Sequence, residues 1–94
     1  MYTIFITQNA LNDISNAIDY WNNKQPYLGY DFVDEVKESH ASIALMPTAF
    51  TKRYDDVRGK LVKRFPYLVL YQISDNNETV EILRIFNTYQ NSYW

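Results

Sequence analysis

The sequence predicts an α+β domain in which a helical hairpin packs on one face of a small, mainly antiparallel sheet, in the order β-α-α-β-β-β. Three observations carry this. The N-terminal run Tyr2 to Thr7 alternates with a period of two, and residues 11–46 switch to spacings of three and four. From Lys60 onward the chain returns to β-branched and aromatic runs, with KLVKRFPYLVLY at their centre. At 94 residues the chain reads as one domain, 1–94, with one core.

In the first strand Tyr2, Ile4 and Ile6 alternate with Thr3, Phe5 and Thr7. Thr7 or Asn9 can cap the next helix by accepting from its orphan amides, and Asp13 in the first turn suits the positive end of the dipole. Leu11, Ile14, Ile18 and Trp21 then form one apolar stripe. Asn22 to Pro26 interrupts it, and a second amphipathic segment begins near Leu28. Its Phe32, Val33, Val36, Ile43 and Met46 share a face, while Asp31, Asp34, Glu35 and Glu38 lie elsewhere. Pro47 ends it. The short connection makes the two helices an antiparallel pair with both stripes toward one sheet.

Residues 48–57 have no clean period and read as a loop with room for extended structure. Two strands follow, roughly 58–65 and 67–73. Pro66 donates no ladder hydrogen bond, so the first of them must turn, bulge or run along an edge there, leaving Lys63 and Arg64 at a sheet boundary. Leu68, Val69 and Leu70, between Tyr67 and Tyr71, are too unbroken for a strand with a wet face and predict a central strand covered on both sides. Asp75-Asn76-Asn77-Glu78 suits a tight hairpin turn. The last strand runs from Thr79 to about Phe86, with Val80, Ile82 and Phe86 on one face and Leu83 and Ile85 on the other. Arg84 within it needs a partner or an exit to solvent. Asn87 to Trp94 is a polar, aromatic tail.

Composition excludes several kinds of chemistry. There is no cysteine and a single histidine, His40, so disulfides, thiolate chemistry, a zinc site and a Ser-His triad are not expected. With only Gly29 and Gly59, and no glycine-rich loop, neither a nucleotide cofactor nor any other is expected. No run approaches the roughly 18 apolar residues of a membrane span, and MYTIFITQ lacks the pattern of a signal peptide, which predicts a cytoplasmic protein with nothing removed and no membrane partner. The net charge of −2 is unevenly spread. Residues 10–46 carry six acidic and two basic side chains, whereas residues 47–74 carry Lys52, Arg53, Arg58, Lys60, Lys63 and Arg64 against Asp55 and Asp56.

Two sets of residues could face a target. The basic set around Arg58, Lys63 and Arg64 could hold an anion bidentately, or simply solvate a strand edge; for Lys52 and Lys60 the solvated edge is the better reading. Arg84 with Asn87, Tyr89, Gln90, Tyr93 and Trp94 could grip a base or phosphate, or Tyr93 and Trp94 could fold back as an apolar lid while Arg84 pairs with a carboxylate. The acidic helical face and His40 read as structural.

The order of elements and a set of local runs resemble the RelE/ParE superfamily of bacterial type II toxins, also labelled plasmid stabilisation proteins. The runs are ALNDISNAIDYW, LGYDFVDEV, LMP, LVKRFPYLVLYQI and VEILRIFNTYQNSYW, which together span almost the whole chain. The resemblance implies a toxin that arrests growth when free and is held by a cognate antitoxin, whose flexible segment wraps the hairpin and sheet. It implies either of two targets: DNA gyrase for ParE-like members, or messenger RNA cut on the ribosome without metal for RelE-like ones. RelE-like terminal motifs often carry histidine and arginine where this chain has Asn87 and Gln90, and a basic residue near Leu68. The carried-over catalytic set is then Arg64 and Arg84 with Tyr89 or Tyr93, and the target-facing set is Arg58, Lys63, Arg64, Asn87 and Gln90. Because the chain is acidic and that set, lacking a histidine, is incomplete, the expectation leans slightly to ParE-like, gyrase-directed inhibition, with the RNA endonuclease and a non-toxic interaction module as alternatives.

Overall fold

A computed structural model of the protein describes residues 1–74, 76 and 78–89. The elements are β1 (Thr3–Ile6), α1 (Gln8–Lys24), α2 (Leu28–Leu45), a short 3-10 turn (Pro47–Ala49), β2 (Lys52–Tyr54), β3 (Val57–Leu61), β4 (Tyr67–Ile73) and β5 (Thr79–Asn87). The strands form one sheet in the order β1-β5-β4-β3-β2. β1 runs parallel to β5 and every other pairing is antiparallel. The fold is α+β, with the two helices on a five-stranded mixed sheet.

Helix α1 starts where the sequence places it, but its cap does more than cap. The Thr7 hydroxyl accepts from the Ala10 amide at 3.3 Å and donates to the Ile82 carbonyl at 2.7 Å, tying the helix start to β5. Because α1 begins at Gln8, Asp13 falls beyond the first turn, not within it as expected. At the other end Pro47 stops α2 as expected, but Met46 is a half-exposed C-cap instead of a member of the buried stripe.

The sheet has one strand more than the sequence predicts. β2 lies inside the stretch read as a loop; all three of its residues are exposed, so no hydrophobic period marks it, and it exists by pairing with the edge of β3. β3 is also shorter than expected, ending at Leu61, because the chain must reverse before Pro66. β4 matches its predicted span, and Tyr67 to Tyr71 are all buried.

In β5 the predicted alternation breaks. Leu70 pairs with Arg84 but Tyr71 with Ile82, so Leu83 is the extra residue of a bulge. Beyond it the faces exchange: Ile85 joins Val80 and Ile82 toward the helices, and Phe86 joins Leu83 on the opposite side. The expected pairing of Phe86 with Val80 and Ile82 is thereby corrected. The larger core packs Tyr67, Val69, Tyr71, Val80, Ile82 and Ile85 against Ala10, Ala17, Phe32, Val36 and Ile43 of the helices. The smaller, on the other face, holds Val57, Leu68 and Leu70. No helix among the described residues is long and apolar enough to cross a membrane.

Candidate functional site

The candidate residues separate into one cluster and two anchors. The β3–β4 turn and the end of β5 meet where Tyr67 pairs with Asn87, and both the Thr88 amide (2.8 Å) and its hydroxyl (3.1 Å) donate to the Pro66 carbonyl. That junction puts the turn carrying Lys63 and Arg64 at the same end of the sheet as Asn87 and Tyr89. Asn87 accepts from the Tyr89 amide through its side chain at 2.9 Å, a local turn that leaves Tyr89 86% exposed. Lys63 is exposed and has no ion pair among the described residues. Gln90, Tyr93 and Trp94 lie outside the described residues, as do Asp75 and Asn77 of the predicted hairpin turn.

Arg64 stands in the left-handed region at φ 70°, and its guanidinium reaches Asp31 at 3.4 Å and Glu35 at 3.7 Å on α2. It also lies over the Phe65 ring, 5.6 Å from the centroid. The cluster's arginine thus leans back on the acidic helix.

Arg58 is an anchor elsewhere. It pairs with Tyr71 in the sheet and donates to the Phe50 carbonyl at 2.8 Å and more weakly to that of Thr48 at 3.4 Å, holding down the segment after α2. Beside it the Tyr71 hydroxyl donates to the Pro47 carbonyl at 2.6 Å. Burial pushes Tyr71 up to about 12, against the opposing pull of Arg58, so the phenol stays a donor at any working pH.

Arg84 is the second anchor. Its Nε donates to Asp13 at 2.7 Å and its Nη2 at 2.9 Å, and the same carboxylate accepts the Ile85 amide at 3.0 Å. β1 ends at Ile6, so the edge of β5 beyond it has no strand to accept that amide, and Asp13 takes the strand's place. The hydrogen bond to Asp13 raises the Arg84 pKa, with a smaller opposing effect of burial. Sequence reasoning asked for a partner to Arg84 but missed Asp13, which lies 71 residues away.

His40 is set apart on α2. Its Nε2 is buried without a hydrogen-bond partner among the described residues, and desolvation lowers its pKa to about 4. The unfolded imidazole titrates near 6.5, so it binds more protons than the folded one between those values. Stability is therefore full above about pH 6.5 and falls as the pH drops toward about 4, by up to ~3 kcal/mol from this group. Urea titrations from pH 7 to 4 should show that slope, and His40→Leu should flatten it. Among the described residues no group of His, Asp and Glu is placed to hold a metal ion.

A family model for the ParE toxin of the type II toxin-antitoxin system parDE matches residues 4–91. The chain belongs to the ParE toxin family. Several solved structures share this fold. A chain of the chromosomal ParDE system from P. aeruginosa superposes with a TM-score of 0.80 at 18% identity, covering 93% of this chain and 96% of that one. The Mycobacterium tuberculosis RelBE2 toxin-antitoxin complex gives 0.61 at 22% identity, over 92% and 96% of the two chains. The isolated E. coli RelE toxin gives 0.64 at 15% identity, over 98% and 89%. At these identities the likeness is one of fold. No match was found among curated proteins.

Proposed function

We propose that this ParE-family toxin arrests growth when free, is held by a cognate antitoxin, and acts by binding DNA gyrase. The observation that carries the choice of target is the Arg84 to Asp13 clamp: two of the five guanidinium N–H donors and the neighbouring Ile85 amide bond one carboxylate. A metal-free nuclease needs cations free to meet developing phosphate charge and a group to take a proton. Arg84 is clamped by Asp13, Arg64 leans on Asp31 and Glu35, and the Nε2 of His40 is buried on a helix. The ParE family match supports the same reading. An antitoxin segment that orders on binding accords with the split between an acidic hairpin and a basic sheet edge.

One observation favours the rival, a ribosome-dependent RNA endonuclease: Lys63, Asn87 and the exposed Tyr89 share one end of the sheet. Induction in bacteria without the antitoxin tests both. The expected result is growth arrest with double-strand DNA breaks and gyrase trapped on DNA. Cleaved messages, abolished by Lys63→Ala or Tyr89→Phe, would instead establish the nuclease. Normal growth with abundant folded protein would leave a non-toxic interaction module.

A further inference from the structure

The tip of the helical hairpin displays two aromatic rings that the fold does not use. Tyr27, the residue before α2, is 74% exposed and Tyr30 is 65% exposed. Their rings stack on each other, centroids 6.1 Å apart and planes 20° from parallel. Tyr27 adopts φ 69°, a left-handed conformation that costs an L-residue energy and that glycine would take without strain. A bulky aromatic held strained in solvent contributes little to folding.

The tip is well braced beneath them. The Asn22 side chain on α1 accepts the buried Gly29 amide at 2.7 Å, and the Gln25 amide donates to the Trp21 carbonyl at 3.0 Å. The surroundings are acidic. Asp34 lies one turn beyond Tyr30, exposed and without an ion pair among the described residues, and Asp31 and Glu35 follow the same helix. This face already accepts a cation from within the chain, since Arg64 reaches Asp31 and Glu35. Phosphate would be repelled here, so stacking on a nucleotide is disfavoured.

We propose that the Tyr27 and Tyr30 pair, with Asp34, is a docking point for an arginine-bearing segment of a protein partner. The guanidinium lies against the stacked rings and donates to the Asp34 carboxylate. Arginine suits this better than lysine because its planar group stacks on an aromatic face and bonds a carboxylate bidentately. The proposal holds whichever target the free toxin has.

The test titrates the isotope-labelled protein with a short glycine-serine peptide carrying two arginines, and with the same peptide carrying neutral citrulline. Amide shifts at residues 27–34 are read by NMR. The arginine peptide should bind about 2–5-fold more tightly than the citrulline one, and Tyr27→Gly and Asp34→Asn should each remove that advantage. Both variants should melt no lower than the parent, since glycine suits φ 69° and Asp34 holds no ion pair among the described residues, whereas Tyr27→Phe should still bind. Equal binding of the two peptides, shifts away from the hairpin, or unchanged affinity in Tyr27→Gly would overturn the proposal. So would a concentration-dependent dimer that Tyr27→Gly dissolves, which would assign the tip to a second copy of the chain.

Discussion

Phe32→Ala should cost about 3–5 kcal/mol and leave little of the molecule folded at growth temperature. Phe32 is fully buried on α2 and makes edge contacts with Phe65 at 5.4 Å and a tilted contact with Tyr67 at 4.9 Å between ring centroids. Trp21 of α1 meets the same two rings, at 5.2 and 6.4 Å, and its indole N–H donates to the Tyr67 hydroxyl at 3.2 Å. Both helices are therefore fastened to the start of β4 through one aromatic cluster. A cavity there would be lined by the Phe65 and Tyr67 rings, which Trp21 also packs against, so it cannot collapse cheaply. The effect reaches the candidate site because Phe65 neighbours Arg64 in the turn that carries it. Urea unfolding followed by circular dichroism measures the loss. A cost under about 1 kcal/mol would mean that the cluster repacks and is not the fastening described.

Asp13→Ala should cost about 2–3 kcal/mol, more than Arg84→Ala. The carboxylate is only 15% exposed and accepts three donors, whereas the Arg84 side chain is 54% exposed and can return to water. Losing Asp13 strands the Ile85 amide at the uncovered edge of β5 as well as freeing the guanidinium. Losing Arg84 leaves that amide bonded. The double variant should be about 1 kcal/mol less destabilised than the sum of the singles, the signature of a shared contact. Thermal midpoints of the four proteins form the cycle. Growth arrest in cells grown cool enough to keep Asp13→Ala folded would confirm that the pair supports structure and not chemistry. If Arg84→Ala abolished arrest with an unchanged midpoint, Arg84 would belong to the working surface.

Much of the fold is legible in the residues because it depends on near neighbours. Thr7 caps α1, Pro47 stops α2, and Tyr67 to Ile73 spans β4 as the apolar run requires. The family resemblance came from the same kind of signal, short runs in a fixed order, and the ParE match over residues 4–91 agrees with it. The candidate site was less legible. Lys63 and Arg64 could be placed at a sheet boundary from Pro66 alone, but the junction through Thr88 that brings Asn87 and Tyr89 to the same end of the sheet joins segments 22 residues apart. Arg58 looked outward-facing by composition. It turns inward because the chain after Pro47 passes close enough to offer it two carbonyls.

By itself the sequence determined the helical hairpin, the covered central strand, the division of charge and the family. The hairpin and the strand follow from local periodicity, a cap or a break, whose physics acts over a few residues, whereas the charge division is read from composition and the family from the resemblance of short runs. Only the tertiary structure decided the rest. The three exposed residues of β2 become a strand because the edge of β3 is there to pair with them. One bulged residue, Leu83, reverses which of Ile85 and Phe86 faces the helices. And Arg84, ambiguous along the chain, finds its partner in a carboxylate 71 residues away, because an arginine bonds whichever anion the fold brings within hydrogen-bond reach.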